Sequence, residues 1–239
     1  MRRRFSFSDQ KSSRHRKRWI VLEIIILFLL YTSLTSLVFS MRVLENNTMA
    51  PNLHMGDRLV FSSFNIYYII PALNIDNDNP PFRRGNIVLV DMFRTENPGI
   101  FYRLLDGVVR FFTAQKLSLE DQKERLFVKR VIGLPGDEIT MTNYVIRVKA
   151  RGSAYSLTEF EVSEQDYTLD IPQMPALWDS SLPFSGNMDR IVLGENECFV
   201  LSDDPSNTND SRTWGPVPIG KISGKALFRY WPLTRIGSP

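Results

Sequence analysis

Phe127-Val128-Lys129-Arg130-Val131-Ile132-Gly133-Leu134-Pro135-Gly136-Asp137 joins a run of apolar β-formers to a tight turn. Val128, Val131 and Ile132 suit a pleated, half-buried surface, and Pro135-Gly136-Asp137 supplies turn chemistry. The run predicts a strand over Phe127–Ile132. Two cations interrupt it side by side. Successive strand residues point to opposite faces, so only one of Lys129 and Arg130 can face a given cleft. A solvated lysine keeps its proton, with a pKa of about 10.4. A desolvated lysine can lose it near neutrality and then serve as general base toward a hydroxyl. Taken alone, the stretch leaves both fates open.

The same texture recurs along the chain. Arg58–Phe61, Ile87–Met92, Glu138–Thr142, Tyr144–Val148, Glu197–Leu201 and Ile222–Tyr230 are short and rich in Val, Ile and Phe. Met55-Gly56-Asp57 and Arg84-Gly85-Asn86 punctuate them. Such spacing predicts a mainly β domain, a closed or folded antiparallel sheet. Insertions are expected at about 94–125 and 149–190. Within the first, Ile100–Gln115 places apolar residues at 100, 101, 104, 105, 108, 109, 111 and 112, a helical pattern. Its apolar face can meet lipid or pack on the domain's own sheet. The second, from Ala150 to Met188, reads as a loop-rich excursion.

Upstream, Trp19–Phe39 is almost wholly apolar. At 1.5 Å per helical residue it is roughly 30 Å long, the thickness of a bilayer core. Arg2, Arg3, Arg4, Lys11, Arg14, Arg16, Lys17 and Arg18 precede it against a single acid, Asp9. The positive-inside rule then makes residues 1–18 a cytoplasmic arm, 19–39 a transmembrane helix and 41–239 a translocated domain. A cleaved signal peptide would need a shorter apolar core and a small-x-small site, which Leu37-Val38-Phe39-Ser40-Met41 lacks. The whole chain has 29 Lys and Arg against 26 Asp and Glu, so beyond its arm it is net acidic and no nucleic-acid partner is expected. One cysteine, Cys198, forms no internal disulfide. Two histidines, His15 and His54, are too few for an ordinary zinc site, so no metal is expected.

Two further segments concentrate polar chemistry. Asn46-Asn47-Thr48-Met49-Ala50-Pro51-Asn52-Leu53 follows the apolar stretch. Ser202-Asp203-Asp204-Pro205-Ser206-Asn207-Thr208-Asn209-Asp210-Ser211-Arg212-Thr213-Trp214-Gly215 is dense in short residues that bond locally. As a solvent loop, its Asp210–Arg212 contact would contribute little.

Together these features resemble the bacterial type I signal peptidase family, whose members work by a serine and a lysine. Lys129–Asp137 (KRVIGLPGD) is similar to the family's lysine box without a mismatch. Asn207–Gly215 (NTNDSRTWG) resembles NSxDSRxWG, Thr48–Leu53 with Gly56-Asp57 resembles SMxPTL..GD, and Arg84–Val90 (RGNIVLV) resembles RGDIVVF. The resemblance implies a β-rich catalytic domain behind one anchor in the bacterial inner membrane, and no cofactor. Its partners would be membrane lipid and the signal peptides of secretory preproteins. By position it implies Thr48 as nucleophile in place of serine and Lys129 as general base. Thr208 would be the hydroxyl that orients the lysine, with Asp210, Ser211 and Arg212 as supports. The Thr48 N–H and the Asn46 amide would form an oxyanion hole, with Met49 and Pro51 at the substrate. Two departures stand out. Thr48 carries a methyl that stiffens χ1, and Ser202-Asp203-Asp204-Pro205 replaces the family's GDNR. His54 is a second candidate base, since some signal peptidases use histidine.

Overall fold

The computed structural model describes residues 16–28, 30–31, 39–63, 80–92, 105, 108–109, 126–171 and 186–239. The chain divides into two units, Met1–Leu37 with Pro98–Glu120, and Val38–Asn97 with Asp121–Pro239. In the first, the described positions are helical, and Trp19, Ile20, Ile24 and Leu27 are exposed. Among the described residues no helix is long and apolar enough to cross a membrane. The expected transmembrane segment over Trp19–Phe39 is corrected at its end, because Phe39 pairs with Ser62 in a β-ladder. Residues 29 and 32–38 lie outside the described residues. So does most of Ile100–Gln115, of which 105, 108 and 109 are helical.

The second unit carries eleven strands among the described residues. They are β1 (Phe39–Val43), β2 (Arg58–Ser63), β3 (Ile87–Asp91), β4 (Leu126–Gly133), β5 (Glu138–Thr142), β6 (Val145–Lys149), β7 (Leu157–Thr158), β8 (Met188–Val192), β9 (Glu197–Leu201), β10 (Val217–Pro218) and β11 (Ile222–Trp231). A seven-stranded sheet runs β1-β2-β11-β3-β4-β9-β10, and a four-stranded sheet runs β7-β6-β5-β8. Every pairing is antiparallel. The expected mainly β domain is what forms, and each strand read from the sequence appears within two residues of its ends.

Strand β4 is an interior strand of the larger sheet, between β3 and β9, and the chain passes from it into β5 of the smaller one. The turn joining β4 to β5 is the Pro135-Gly136-Asp137 motif. Gly136 sits at φ 78°, a conformation only glycine adopts without strain. Asp137, wholly buried, accepts from Leu134 N at 2.8 Å and from both Arg84 Nε (2.9 Å) and Nη2 (2.8 Å). A bidentate ion pair thereby ties the entry to β3 to the end of β4.

Three apolar clusters hold the unit together. One packs Val88, Val90, Val131, Val200 and Ile222, with Trp214 and Phe127 at its margin. A second joins the sheets through Ile132, Phe199 and Leu201 on one side and Ile139, Met141, Ile146 and Val148 on the other. The third packs Leu44, Met49 and Leu53 on Leu59, Phe61, Ile87 and Leu89. The expected loop-rich excursion is mostly loop and turn over its described residues 150–171. Residues 150–171 add β7 to the smaller sheet, form the single-turn helix Glu159–Val162, and bury Tyr167 in the second cluster. Of its described aromatics Tyr167 is core, whereas Tyr155 and Phe160 are exposed.

Candidate active site

Lys129 and Arg130 are both buried, each 1% exposed. Strand alternation sends them apart, as the sequence requires. Lys129 Nζ donates to Ser202 Oγ at 2.7 Å. Arg130 donates through Nε to Asp203 Oδ1 at 2.7 Å, through Nη2 to Asp203 Oδ2, and through Nη1 to the Gly85 carbonyl at 2.7 Å. The sheet explains the pairing. In the β4–β9 register Arg130 lies opposite Leu201. One step further along the chain, Ser202 is opposite Lys129, on the same face. Asp203, one residue on, is a diagonal neighbour of Arg130 on the other face.

The lysine is therefore desolvated, and burial lowers its pKa to about 8. Asp210 and Asp203 pull it upward, while the Arg212 guanidinium pushes it down. The Trp214 ring lies 5.8 Å from Nζ and adds to the apolar surroundings. At pH 7 most of Lys129 is still charged, but a minor fraction, about a tenth, is a neutral amine with a lone pair free to accept a proton.

Thr48 stands on a loop between β1 and β2. Its carbonyl accepts from Asp204 N at 3.1 Å, which links it to the segment that holds the lysine. Its Oγ1 donates to Asn46 Oδ1 at 2.8 Å, and its N–H points to the same oxygen at 3.4 Å. Asn52, on the same loop, donates from Nδ2 to Asp203 Oδ2 at 2.8 Å. Two bonds from neighbouring residues thus bind the threonine loop to the loop following β9.

That second loop is braced from within. Asp210, wholly buried, accepts from Ser202 N at 2.9 Å. It also accepts from Arg212 Nε at 2.9 Å and Nη2 at 2.7 Å. Arg212, its side chain 7% exposed, donates onward to the carbonyls of Pro205 and Asn207. This is a network of charge-assisted bonds in a buried place, unlike the weak surface contact that the local sequence allowed. Ser211 Oγ accepts from Val200 N at 3.0 Å and fastens the turn to β9.

Three residues named by the resemblance make contacts other than those it implied. Thr208, expected on the lysine, contributes its carbonyl to Asp210 N and Thr213 Oγ1, and Ser202 occupies the lysine's hydroxyl partner position. Asn46 presents its amide oxygen to Thr48, where an oxyanion hole needs an N–H, because the threonine hydroxyl requires an acceptor at rest. Met49 is wholly buried in the third cluster, whereas Pro51 is exposed. His54 is exposed, and its Nδ1 accepts from Arg235 Nη1 at 2.9 Å, so Lys129 is left as the base candidate. Ser202, Asp203 and Asn52 were missed as site residues. Their signal was the position of Ser202-Asp203 directly after a strand.

A family model described as signal peptidase, peptidase S26, matches residues 16–231. The chain is 28% identical over 199 residues to the signal peptidase I of Leptolyngbya laminosa, covering 82% of this chain and 70% of that one. It is 26% identical over 231 residues to the signal peptidase I of Bacillus caldolyticus, covering 94% and 95%. A probable signal peptidase I-2 of Synechocystis is 23% identical over 235 residues, covering 96% and 81%. With that model matching most of its length, the chain belongs to the type I signal peptidases of the peptidase S26 family.

Proposed function

We propose that this chain is a membrane-anchored endopeptidase that removes signal peptides from secretory preproteins, with Thr48 as nucleophile and Lys129 as general base. The observation that carries the reading is the buried Lys129 amine, its pKa lowered to about 8 and its direction set by Ser202. In the reaction, neutral Lys129 takes the proton of the Thr48 hydroxyl, and Oγ1 attacks the scissile carbonyl carbon. The tetrahedral oxyanion lies against the Thr48 N–H and, after its amide turns over, the Asn46 side chain. The Lys129 ammonium then gives its proton to the departing amine, leaving an ester on Thr48. Water, deprotonated by the same amine, hydrolyses that ester. No cofactor enters any step.

The basic arm and the apolar stretch after it support an N-terminus inside and residues 41–239 outside the bacterial inner membrane. Protease added to spheroplasts should digest the catalytic domain and spare the first 18 residues. A protected C-terminal domain would reverse that orientation.

One observation favours a second reading, a relative that binds signal peptides without cutting them. The Thr48 hydroxyl is engaged by Asn46 rather than by Lys129. The test is cleavage of a model preprotein in detergent micelles by the parent, Thr48→Ser and Thr48→Ala. The endopeptidase reading expects parent and Thr48→Ser to cut and Thr48→Ala to be inert. A parent as inert as Thr48→Ala, beside an active Thr48→Ser, would establish the binding protein.

A further inference from the structure

Behind the catalytic residues, on the Arg130 face of β4, the two sheets meet around Tyr167. Its ring lies 4.1 Å from the Arg130 guanidinium carbon, close enough for a desolvated cation–π contact. Its hydroxyl donates to Glu159 Oε2 at 2.8 Å. Glu159 is itself only 2% exposed, on the single-turn helix Glu159–Val162. Its other oxygen, Oε1, is buried with no hydrogen-bond partner. A carboxyl in this position is costly, and the Tyr167 hydroxyl and the Ile146 backbone are the groups that bind it. The residue after the tyrosine, Thr168, reaches the threonine loop. Its carbonyl accepts from Asn52 Nδ2 at 2.8 Å, and its N–H donates to Asn52 Oδ1 at 3.2 Å. The same Nδ2 donates to Asp203, the ion-pair partner of Arg130.

We propose that Tyr167 is a positioning residue for the proposed cleavage: its ring, locked by Glu159, holds the Arg130 guanidinium on Asp203, while Thr168 beside it holds Asn52 of the Thr48 loop on that same carboxylate. The inference rests on the reading of Thr48 and Lys129 as the reacting pair. Asp203 is the junction, because it follows Ser202, the residue on the lysine. Arg130 also neutralises Asp203, whose negative charge favours the protonated form of Lys129. Around Lys129 the other charges are Asp210, which does the same, and Arg212, which opposes it. Loosening Arg130 from Asp203 leaves that carboxylate less compensated. Lys129 then holds its proton to higher pH, and less of it is a base at neutrality.

The experiment reads Lys129 directly. Full-length chain with 13C at lysine Cε is titrated by NMR in detergent micelles, and the Lys129 signal is assigned by its loss in Lys129→Met. Tyr167→Met and Tyr167→Leu remove the aromatic face at different volumes. Near-UV circular dichroism identifies which of them packs. Tyr167→Phe keeps the ring and drops the hydroxyl. The expected result is a raised midpoint in the Met or Leu variant, and a smaller rise in Tyr167→Phe, which keeps the aromatic face but loses its anchor on Glu159. Preprotein cleavage, measured alongside in the parent and in the Thr48→Ser background, should lose kcat and shift its pH profile with the same midpoint. An unmoved Lys129 midpoint in a folded Met or Leu variant would overturn the proposal, whatever happens to turnover, because a purely structural tyrosine lowers the folded fraction without moving the titration. A raised midpoint with no cleavage in any background would uphold the positioning and defeat the protease reading.

Discussion

Lys129 Nζ meets Ser202 Oγ at 2.7 Å, and Ser202 N is held by the buried Asp210 carboxylate at 2.9 Å. The serine is thereby fixed by its backbone while its side chain accepts from the lysine. One N–H of the amine is anchored, and its lone pair points elsewhere. Ser202→Ala removes the anchor and keeps the backbone bond. It should lower kcat roughly tenfold or more with little change in KM, as expected for a misdirected base. Thr208→Ala should stay within about threefold of the parent. Steady-state cleavage of a preprotein checks both, and a larger loss at Thr208 would restore that residue to the lysine.

Lys129, as the proposed base, should set the pH dependence. The base works only when neutral, and its pKa is lowered to about 8. Activity measured as kcat/KM should therefore climb tenfold per pH unit below about 8 and level off above it. Lys129→Arg should be inactive across the whole range, because arginine holds its proton at any working pH. Substantial activity in Lys129→Arg would show that another base operates.

Stability should also rise with pH at the same residue, in the window above about 8. Burial lowers the folded-state pKa from 10.5 to about 8, so at pH 7 both folded and unfolded chains carry the charge, and the folded state bears its desolvation. As pH rises from about 8 toward 10.5, the folded amine is neutral while the unfolded one is still protonated, and stability grows. Lys129→Met should accordingly stabilise the domain by roughly 1–3 kcal/mol at pH 7, with the gain shrinking above pH 8. Urea unfolding at pH 7 and pH 10 reads both the size and the sign.

Arg130, its neighbour, should give the opposite result. It is paired bidentately with Asp203 and bonded to Gly85 O, all in a buried setting. Asp203→Ala strands the guanidinium, and breaking a buried pair from one side costs about 3–5 kcal/mol. The same unfolding measurement checks it. A loss under about 1 kcal/mol would mean that solvent reaches the pair.

Asn46 separates two roles by direction. Its oxygen now accepts from the Thr48 hydroxyl. If the amide turns over to serve the oxyanion, Asn46→Ala should cost about 100-fold in kcat. If it only parks the hydroxyl, Asn46→Ala should leave kcat unchanged or raise it. Single-turnover cleavage distinguishes the two.

Much of the fold was legible beforehand. The strands from Arg58 to Tyr230 announced themselves by β-branched runs between Gly, Pro and Asp turns, and Gly136 took the positive φ that its motif implies. Met49 and Tyr167 were not legible as core. Each stands in a stretch without periodicity, and each is buried by residues far away in the chain. The end of the apolar stretch was misplaced at Phe39 because hydropathy carries no sign of a ladder partner at Ser62.

The family pattern, the strand identities and the rule that Lys129 and Arg130 face opposite ways can all be read from residue order alone. Those are local properties of side-chain type and strand period. Which hydroxyl receives the lysine was decided only by tertiary structure. Ser202 lies 73 residues away, and it reaches Lys129 because β9 pairs with β4 with Leu201 opposite Arg130. A shift of one residue in that register would turn Ser202 to the other face and present a different side chain to the amine. Register is a property of two strands packed together, fixed by the cores on both sides of the sheet, and no single strand carries it.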